Sequence, residues 1–306
     1  MSVKTYLHTV LHLSGAQVTA LKKDPCGILA NGAHVTVRYI LQCGDMLSLA
    51  DRDADSSDNI VPVPMPLDIV YEDDAILVLN KLPYVPTHPS HGHYDDTLAN
   101  GLAHLFETRG MPFVFRSCSR LDRDTSGLVT VAKTRAAAYH FQRAHTRGEI
   151  EKEYVAVLAG HLTPASGEIG GCIRRERDSV ITRIVTEDDG DPALTCYRVL
   201  AYGTAPDGRP LSYVLAQPVT GRTHQLRVHF AHLGCPILGD FLYGREHDPL
   251  IGRQALHCRK TAFAHPISGR HMTLYAALPD DFAALLPLFC EYTDERTAIP
   301  HAENQA

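Results

Sequence analysis

The chain has 306 residues, enough for one large domain or for a large and a small one. Hydrophobic residues at 44% and charged residues at 21% describe an ordinary soluble globular protein, not a disordered or fibrous one. A net charge of −6 argues against a uniformly basic nucleic-acid coat, so any nucleic-acid partner has to be held by a local basic face.

Residues 1 to about 50 read as a small unit of their own. Gln17–Lys23 has helical character, and Ile28–Val35 holds an Asn31-Gly32 hairpin turn between short strands, with Cys43–Leu49 closing the unit as a further strand. Asp51–Asn59 is acidic and without periodicity, and Pro62, Pro64 and Pro66 follow at alternate positions, as in a stiff extended linker. A domain boundary near residue 58 is expected. The apolar stretch at the N-terminus is broken by His8 and His12, which argues against a signal peptide, and no run reaches the length of a membrane span. Eight cysteines occur without a Cys-x-x-Cys pair, which fits reduced, buried thiols rather than a zinc ribbon or a disulfide scaffold. The expected compartment is cytoplasmic.

Beyond Leu67, short strands alternate with a few helices. Strands are expected at Ala75–Lys81, Leu128–Lys133, Tyr154–Leu158, Thr195–Leu200 and Leu211–Ala216, and helices at Thr97–Glu107 and Thr134–Arg147. Turn-sized connections, such as Pro206-Asp207-Gly208-Arg209, point to a mostly antiparallel or mixed sheet. Neither a G-x-x-x-x-G-K-[ST] loop nor a G-x-G-x-x-G fingerprint is present, which disfavours a nucleotide cofactor.

Basic residues gather at Arg116, Arg120, Arg123, Lys133, Arg135, Arg143, Arg147 and Lys152, while acids gather elsewhere. Such a run is either a solvated helix face or an RNA-facing patch. Two segments sharpen the choice. Ser119-Arg120-Leu121-Asp122-Arg123-Asp124-Thr125-Ser126-Gly127 feeds two arginines and two aspartates directly into an apolar strand. Unpaired charge beside a core is costly, and sequences tolerate that conflict mainly at sites. Gly221-Arg222-Thr223-His224-Gln225-Leu226-Arg227-Val228-His229 repeats the arrangement, again at the mouth of what reads as an apolar strand.

With Lys152-Glu153-Tyr154 between them, these segments resemble the RluA-type family of RNA pseudouridine synthases, whose Arg-Leu-Asp, Lys-x-Tyr and Gly-Arg-Thr-His-Gln-Leu-Arg blocks occur here in order. Lys81-Leu82-Pro83, Thr97-Leu98-Ala99-Asn100 and Ala255-Leu256-His257 extend the likeness over most of the chain. The resemblance implies an α+β fold: a mixed, mostly antiparallel sheet catalytic domain flanked by helices over residues 59–296. It further implies a small N-terminal S4-like α/β module within 1–58 and a tail over 297–306. The S4 likeness is divergent, since the predicted helix offers only Lys22 and Lys23 where such modules carry several arginines.

The implied reaction converts uridine to pseudouridine in rRNA or tRNA. It cleaves the C1′–N1 bond and rejoins the base through C5, so it needs no cofactor and no metal. The resemblance gives Asp122 the reacting carboxylate, acting at C1′ or at the C2′ proton. Arg227 would hold that carboxylate ionised, because a neighbouring guanidinium favours the charged form. Tyr154 would stack on the uracil, Arg120 would fill the space left by the flipped nucleotide, and Leu226 would floor the pocket. Arg222, Gln225 and His224 are further substrate-binding candidates, Arg222 for phosphate. Asp124 competes with Asp122, Arg222 competes with Arg227 as the ion-pair partner, and Tyr154 has simple core packing as its alternative. His88, His91 and His93, and separately His224, His229 and His232, lack a metal-ligand spacing such as H-E-x-x-H. The rival readings are an RNA binder without activity on the same scaffold and a metal-dependent hydrolase. RNA is the expected partner, no membrane is, and a monomer is favoured.

Overall fold

The computed structural model describes residues 1–11, 13, 15–50, 57, 60–177, 179, 181–245 and 247–289. Most of the acidic stretch with the expected boundary near 58 lies outside the described residues, as do His12, Cys290 and the tail from 297 to 306. The chain divides into two compact units, residues 1–54 and 55–306.

The first unit contains helices α1 (Val3–Thr9) and α2 (Gly15–Lys23) and strands β1 (Ile28–Ala30), β2 (Ala33–His34) and β3 (Leu47–Leu49), in the antiparallel order β2-β1-β3. The Asn-Gly turn forms as expected, with Asn31 and Gly32 both at positive φ, the geometry of a two-residue hairpin. Helix α1 has no counterpart in the sequence reading. It is fixed by the Ser2 side chain capping the Thr5 N–H and by burial of Val3 and Leu7 beside Val18, Leu21 and Ile28.

The second unit runs β4 (Ile69–Glu72), β5 (Ile76–Lys81), α3 (Leu98–Thr108), β6 (Ser126–Ala132), α4 (Arg135–Thr146), β7 (Glu151–Ala159), β8 (Ser166–Arg175), β9 (Arg183–Thr186), β10 (Asp191–Thr204), β11 (Pro210–Pro218), α5 (Gln225–His232), β12 (Leu256–Ala264), β13 (His271–Tyr275) and α6 (Asp280–Ala283). Its strands form one sheet in the order β4-β5-β6-β12-β7-β11-β10-β8-β9, with β13 paired to β12. The pairing of β6 with β12 is parallel and every other strand pairing is antiparallel, so the sheet is mixed and mostly antiparallel, as expected. Helices α3 and α4 start where the sequence places them, because Thr97 and Thr134 cap their first turns.

The segment after Gly221-Arg222 corrects the sequence reading. It is helix α5, not a strand, and it begins at His224 with φ 57°. Leu226, Val228 and Phe230 alternate with polar residues, which mimics a half-buried strand. All residues from Gln225 to Phe230 are buried, however, and a helix enclosed on every side loses the 3.6-residue signature. The Gly-rich hairpin β8–β9 and strands β12 and β13 also exceed what was expected, since their apolar positions are interrupted by arginines and glycines.

Candidate active site

Asp122 stands in the loop that enters β6, and three buried cations converge on that loop. Arg227, on the first turn of α5, forks onto Asp240 with Nε–Oδ2 at 2.6 Å and Nη2–Oδ1 at 2.8 Å. Its remaining Nη1 reaches Asp122 Oδ2 at 3.3 Å. Burial alone would lower the Arg227 pKa, but Asp240 and Asp122 outweigh it and hold the guanidinium more firmly charged than usual. Asp240 is fully buried and also accepts the backbone N–H groups of Leu242 and Tyr243, so its carboxylate is amply solvated by protein.

Arg253 is the second cation. It forks onto Asp281 at 2.6 and 2.8 Å and donates Nη1 to the Asp124 carbonyl at 3.0 Å. Lys81, at the end of β5, is the third. Its Nζ donates to the carbonyls of Leu82, Val85 and Arg123 at 2.8–2.9 Å, which engages all three of its N–H groups. Burial pushes its pKa down to about 7, against the pull of Asp124 and Asp122. The loop is further pinned by Thr87 Oγ1 on the Leu121 carbonyl at 3.0 Å and by Gln254 on Thr125 Oγ1 at 3.2 Å.

Of the two carboxylates in the loop, Asp124 is buried and accepts both Nε and Nη2 of Arg123. Asp122 keeps 28% of its side chain open. Arg227 rather than Arg222 faces it; Arg222 is exposed and gives its Nε to the Pro192 carbonyl at 3.0 Å. His224 approaches Asp122 with Nε2–Oδ1 at 4.0 Å and is anchored through Nδ1 to the Tyr243 hydroxyl at 2.9 Å. Tyr243 also lies under the Arg227 guanidinium at 5.2 Å and accepts the Arg183 N–H at 2.9 Å, tying β9 to the site. Tyr154 is buried on β7 opposite Cys258. Burial, then Cys258 and Asp122, raise its phenol well above the usual value, so it stays protonated.

The remaining candidates divide. Arg120 is exposed, and Leu226 is buried in the main core cluster. Gln225 is not brought into the opening. Its amide accepts from Thr220 Oγ1 and Arg222 N–H and donates to the Leu194 carbonyl and Thr195 Oγ1, so it shapes the turn before α5. His229 is bound through Nδ1 to Thr195 at 3.0 Å and His93 to Asp96 at 2.6 Å. Among the described residues, no group of three or more His, Cys, Asp or Glu side chains is placed to hold a metal ion.

The family model for RNA pseudouridylate synthases matches residues 75–232, which include the Asp122 loop, Tyr154 and Arg227. The chain belongs to that family. YjbO of Bacillus subtilis (strain 168), an uncharacterised RNA pseudouridine synthase, is 40% identical over 94% of this chain and 98% of its own length. The ribosomal large subunit pseudouridine synthase D of Yersinia pestis is 35% identical over 88% of this chain and 84% of its own. Among solved structures, the human RNA pseudouridylate synthase domain containing 1 superposes with a TM-score of 0.59 at 34% identity, covering 72% of this chain and 87% of that one.

This RNA pseudouridine synthase is therefore an isomerase, and several parts of its site escaped the sequence reading. Asp240 follows the Gly/Pro-punctuated segment Gly234–Gly239 and lies outside the motifs. Lys81 stands in Lys81-Leu82-Pro83 with no charged partner beside it, and Arg253 and Tyr243 lie outside any motif. A charged residue ending an apolar strand, as Lys81 does, was the one usable signal.

Proposed function

We propose that the enzyme isomerises uridine in large-subunit ribosomal RNA without a cofactor, with Asp122 as the reacting carboxylate. The observation that carries this reading is the contrast within one loop: Asp124 is buried and paired, while Asp122 is partly open and faced by Arg227 at 3.3 Å. The relatives named as ribosomal large subunit synthases support the choice of RNA. The reaction breaks C1′–N1, turns the uracil and joins C5 to C1′; a proton leaves C5 and N1 gains one, so nothing enters or departs overall.

In this reading Arg227 offsets the negative charge of Asp122, and the field is strong because both groups lie at a low-dielectric wall. Tyr154 stacks on the detached base, with its protonated hydroxyl serving as a hydrogen-bond donor rather than as a base. Leu226 backs the pocket from the core. Arg120 occupies the place of the extruded nucleotide, and Arg222 and His224 contact its phosphate and ribose. Unstacking the target costs a few kcal/mol, less in a loop than in a duplex. Residues 1–54 act as a divergent S4-like module that grips RNA weakly, and the enzyme works as a monomer in the cytoplasm.

The test compares wild-type protein with Asp122→Asn on ribosomal and transfer RNA from a source lacking this enzyme, mapped by carbodiimide stops. A stop in large-subunit RNA should appear with the wild type and drop at least about 10³-fold in rate with the variant. A stop confined to transfer RNA would replace the substrate. No stop in any fraction, with RNA still bound, would leave an inactive binder.

A further inference from the structure

We infer that Tyr139 and Arg143 on α4 form a docking site for a nucleotide flanking the target uridine in single-stranded RNA, an inference that rests on the RNA-isomerase reading above. The first ground is position. Tyr154 pairs with Cys258 and Lys152 with Thr261, so the side chains of Tyr154, Thr261 and Phe263 share one face of the sheet. Phe141 of α4 packs on Phe263 with ring centroids 4.9 Å apart, which sets α4 over the face that carries Tyr154. At the other end of the helix, a Cβ on Gly221 would meet His145 Nε2 at 3.4 Å, so α4 also abuts the turn that leads through Arg222 to His224. Ala137, Phe141 and Ala144 turn inward, so the helix walls that face of the sheet while Tyr139 and Arg143 stand on the outer side of the wall, where a strand leaving the site would run.

The second ground is charge. Half of the basic run that the sequence displays is taken up by the fold. Arg123 is paired with Asp124, Lys133 with Glu72 and Arg147 with Glu149, and Lys152 is half-buried with burial lowering its pKa. Arg143 differs. Among the described residues it has no carboxylate within ion-pair distance, and its guanidinium lies over the Tyr139 ring at 5.8 Å. Spacing of four residues places both side chains on one stripe of the helix.

The third ground is what such a pair can hold. An aromatic face beside a guanidinium suits one base and one phosphate of an unpaired strand, because the ring stacks and the cation meets the backbone. A duplex would need a longer row of free cations along its phosphates. Flipping a uridine requires a strand whose neighbours are held, and α4 lies beside the site where the extruded nucleotide would arrive.

The experiment measures RNA affinity by filter binding as a function of salt, in an Asp122→Asn background, for Arg143→Ala and Tyr139→Ala on the full chain. Arg143→Ala should flatten the slope of log K against log salt by about 0.7, one single-strand phosphate contact. Tyr139→Ala should weaken binding about tenfold with the slope retained. In the Asp122 protein the loss should fall on KM rather than on kcat. Arg143→Lys should restore the slope, which a merely structural role for Arg143 would not predict. Should either alanine variant melt early, Arg143→Gln and Tyr139→Leu carry the same comparison. Unchanged affinity and slope in folded variants would overturn the inference. Because binding is read without turnover, absent pseudouridine formation by the wild type would sink the catalytic reading and leave this test intact.

Discussion

Arg227 and Arg253 each fork onto an aspartate of their own and keep Nη1 for the same loop. Arg227 spends that nitrogen on the Asp122 carboxylate, which is partly open, whereas Arg253 divides it between the buried Asp124 and Gln254 carbonyls. A guanidinium aimed at a carboxylate governs charge; aimed at a carbonyl it governs the course of the chain. With Asp122 as the proposed reacting carboxylate, one local construction is used twice, once for the chemistry and once to hold the chemistry still. Lys81 belongs with Arg253, since its three acceptors are all backbone carbonyls.

The comparison breaks most clearly under exchange of the two arginines for lysine, which keeps charge and removes the fork. Arg227→Lys should lower kcat on the order of 10²-fold, since the group facing Asp122, the proposed reacting carboxylate, loses its geometry. Arg253→Lys should instead cost about 2 kcal/mol of unfolding free energy, from two hydrogen bonds made poorly or not at all. Its kcat per folded molecule should fall by less than Arg227→Lys. Urea titration beside single-turnover pseudouridine formation reads both quantities. Equal kcat losses would mean that both arginines work through shape. A third variant, Lys81→Met, should resemble Arg253→Lys: lower stability from three carbonyls left without donors, with Asp122 itself untouched.

The charge side of this arrangement was legible in the sequence and the shape side was not. Asp122, Tyr154 and Arg227 sit in motifs, and the structure brings Asp122 and Arg227 together across 105 residues. The mixed sheet was legible too, because β5, β6, β7 and β11 are apolar runs bounded by turn residues. Arg253 was invisible for a physical reason. A backbone carbonyl is the same in every residue, so a side chain recruited to bind one leaves no complementary residue elsewhere to reveal it. Lys81 also binds only carbonyls, and its one trace in the sequence is a charge ending an apolar strand. Helix α5 was misread because its burial erased the pattern by which a helix is recognised, and the structural part Gln225 plays was not legible because its partners are hidden in the turn.

The smallest expected effect separates the two sides by pH. His257 lies on the Arg253 side: its Nδ1 is 3.0 Å from Ser126 Oγ, and its Nε2 is 3.4 Å from the Ala276 carbonyl, so Nε2 carries the proton and Nδ1 accepts. Burial, with a contribution from Arg253, pushes its pKa down to about 4. A histidine whose folded pKa is depressed contributes stability that is complete above its unfolded value, about 6.5, and is lost as pH falls toward the folded value. From pH 7 to pH 5.5 the loss from this residue should be about 1 kcal/mol. Arg227 is held charged throughout that range and contributes no such slope. Urea titrations at the two pH values should therefore show wild type losing stability and His257→Gln losing about 1 kcal/mol less. An equal loss in both proteins would place the acid sensitivity elsewhere, with buried His229, whose pKa burial also lowers to about 4, as the next residue to replace.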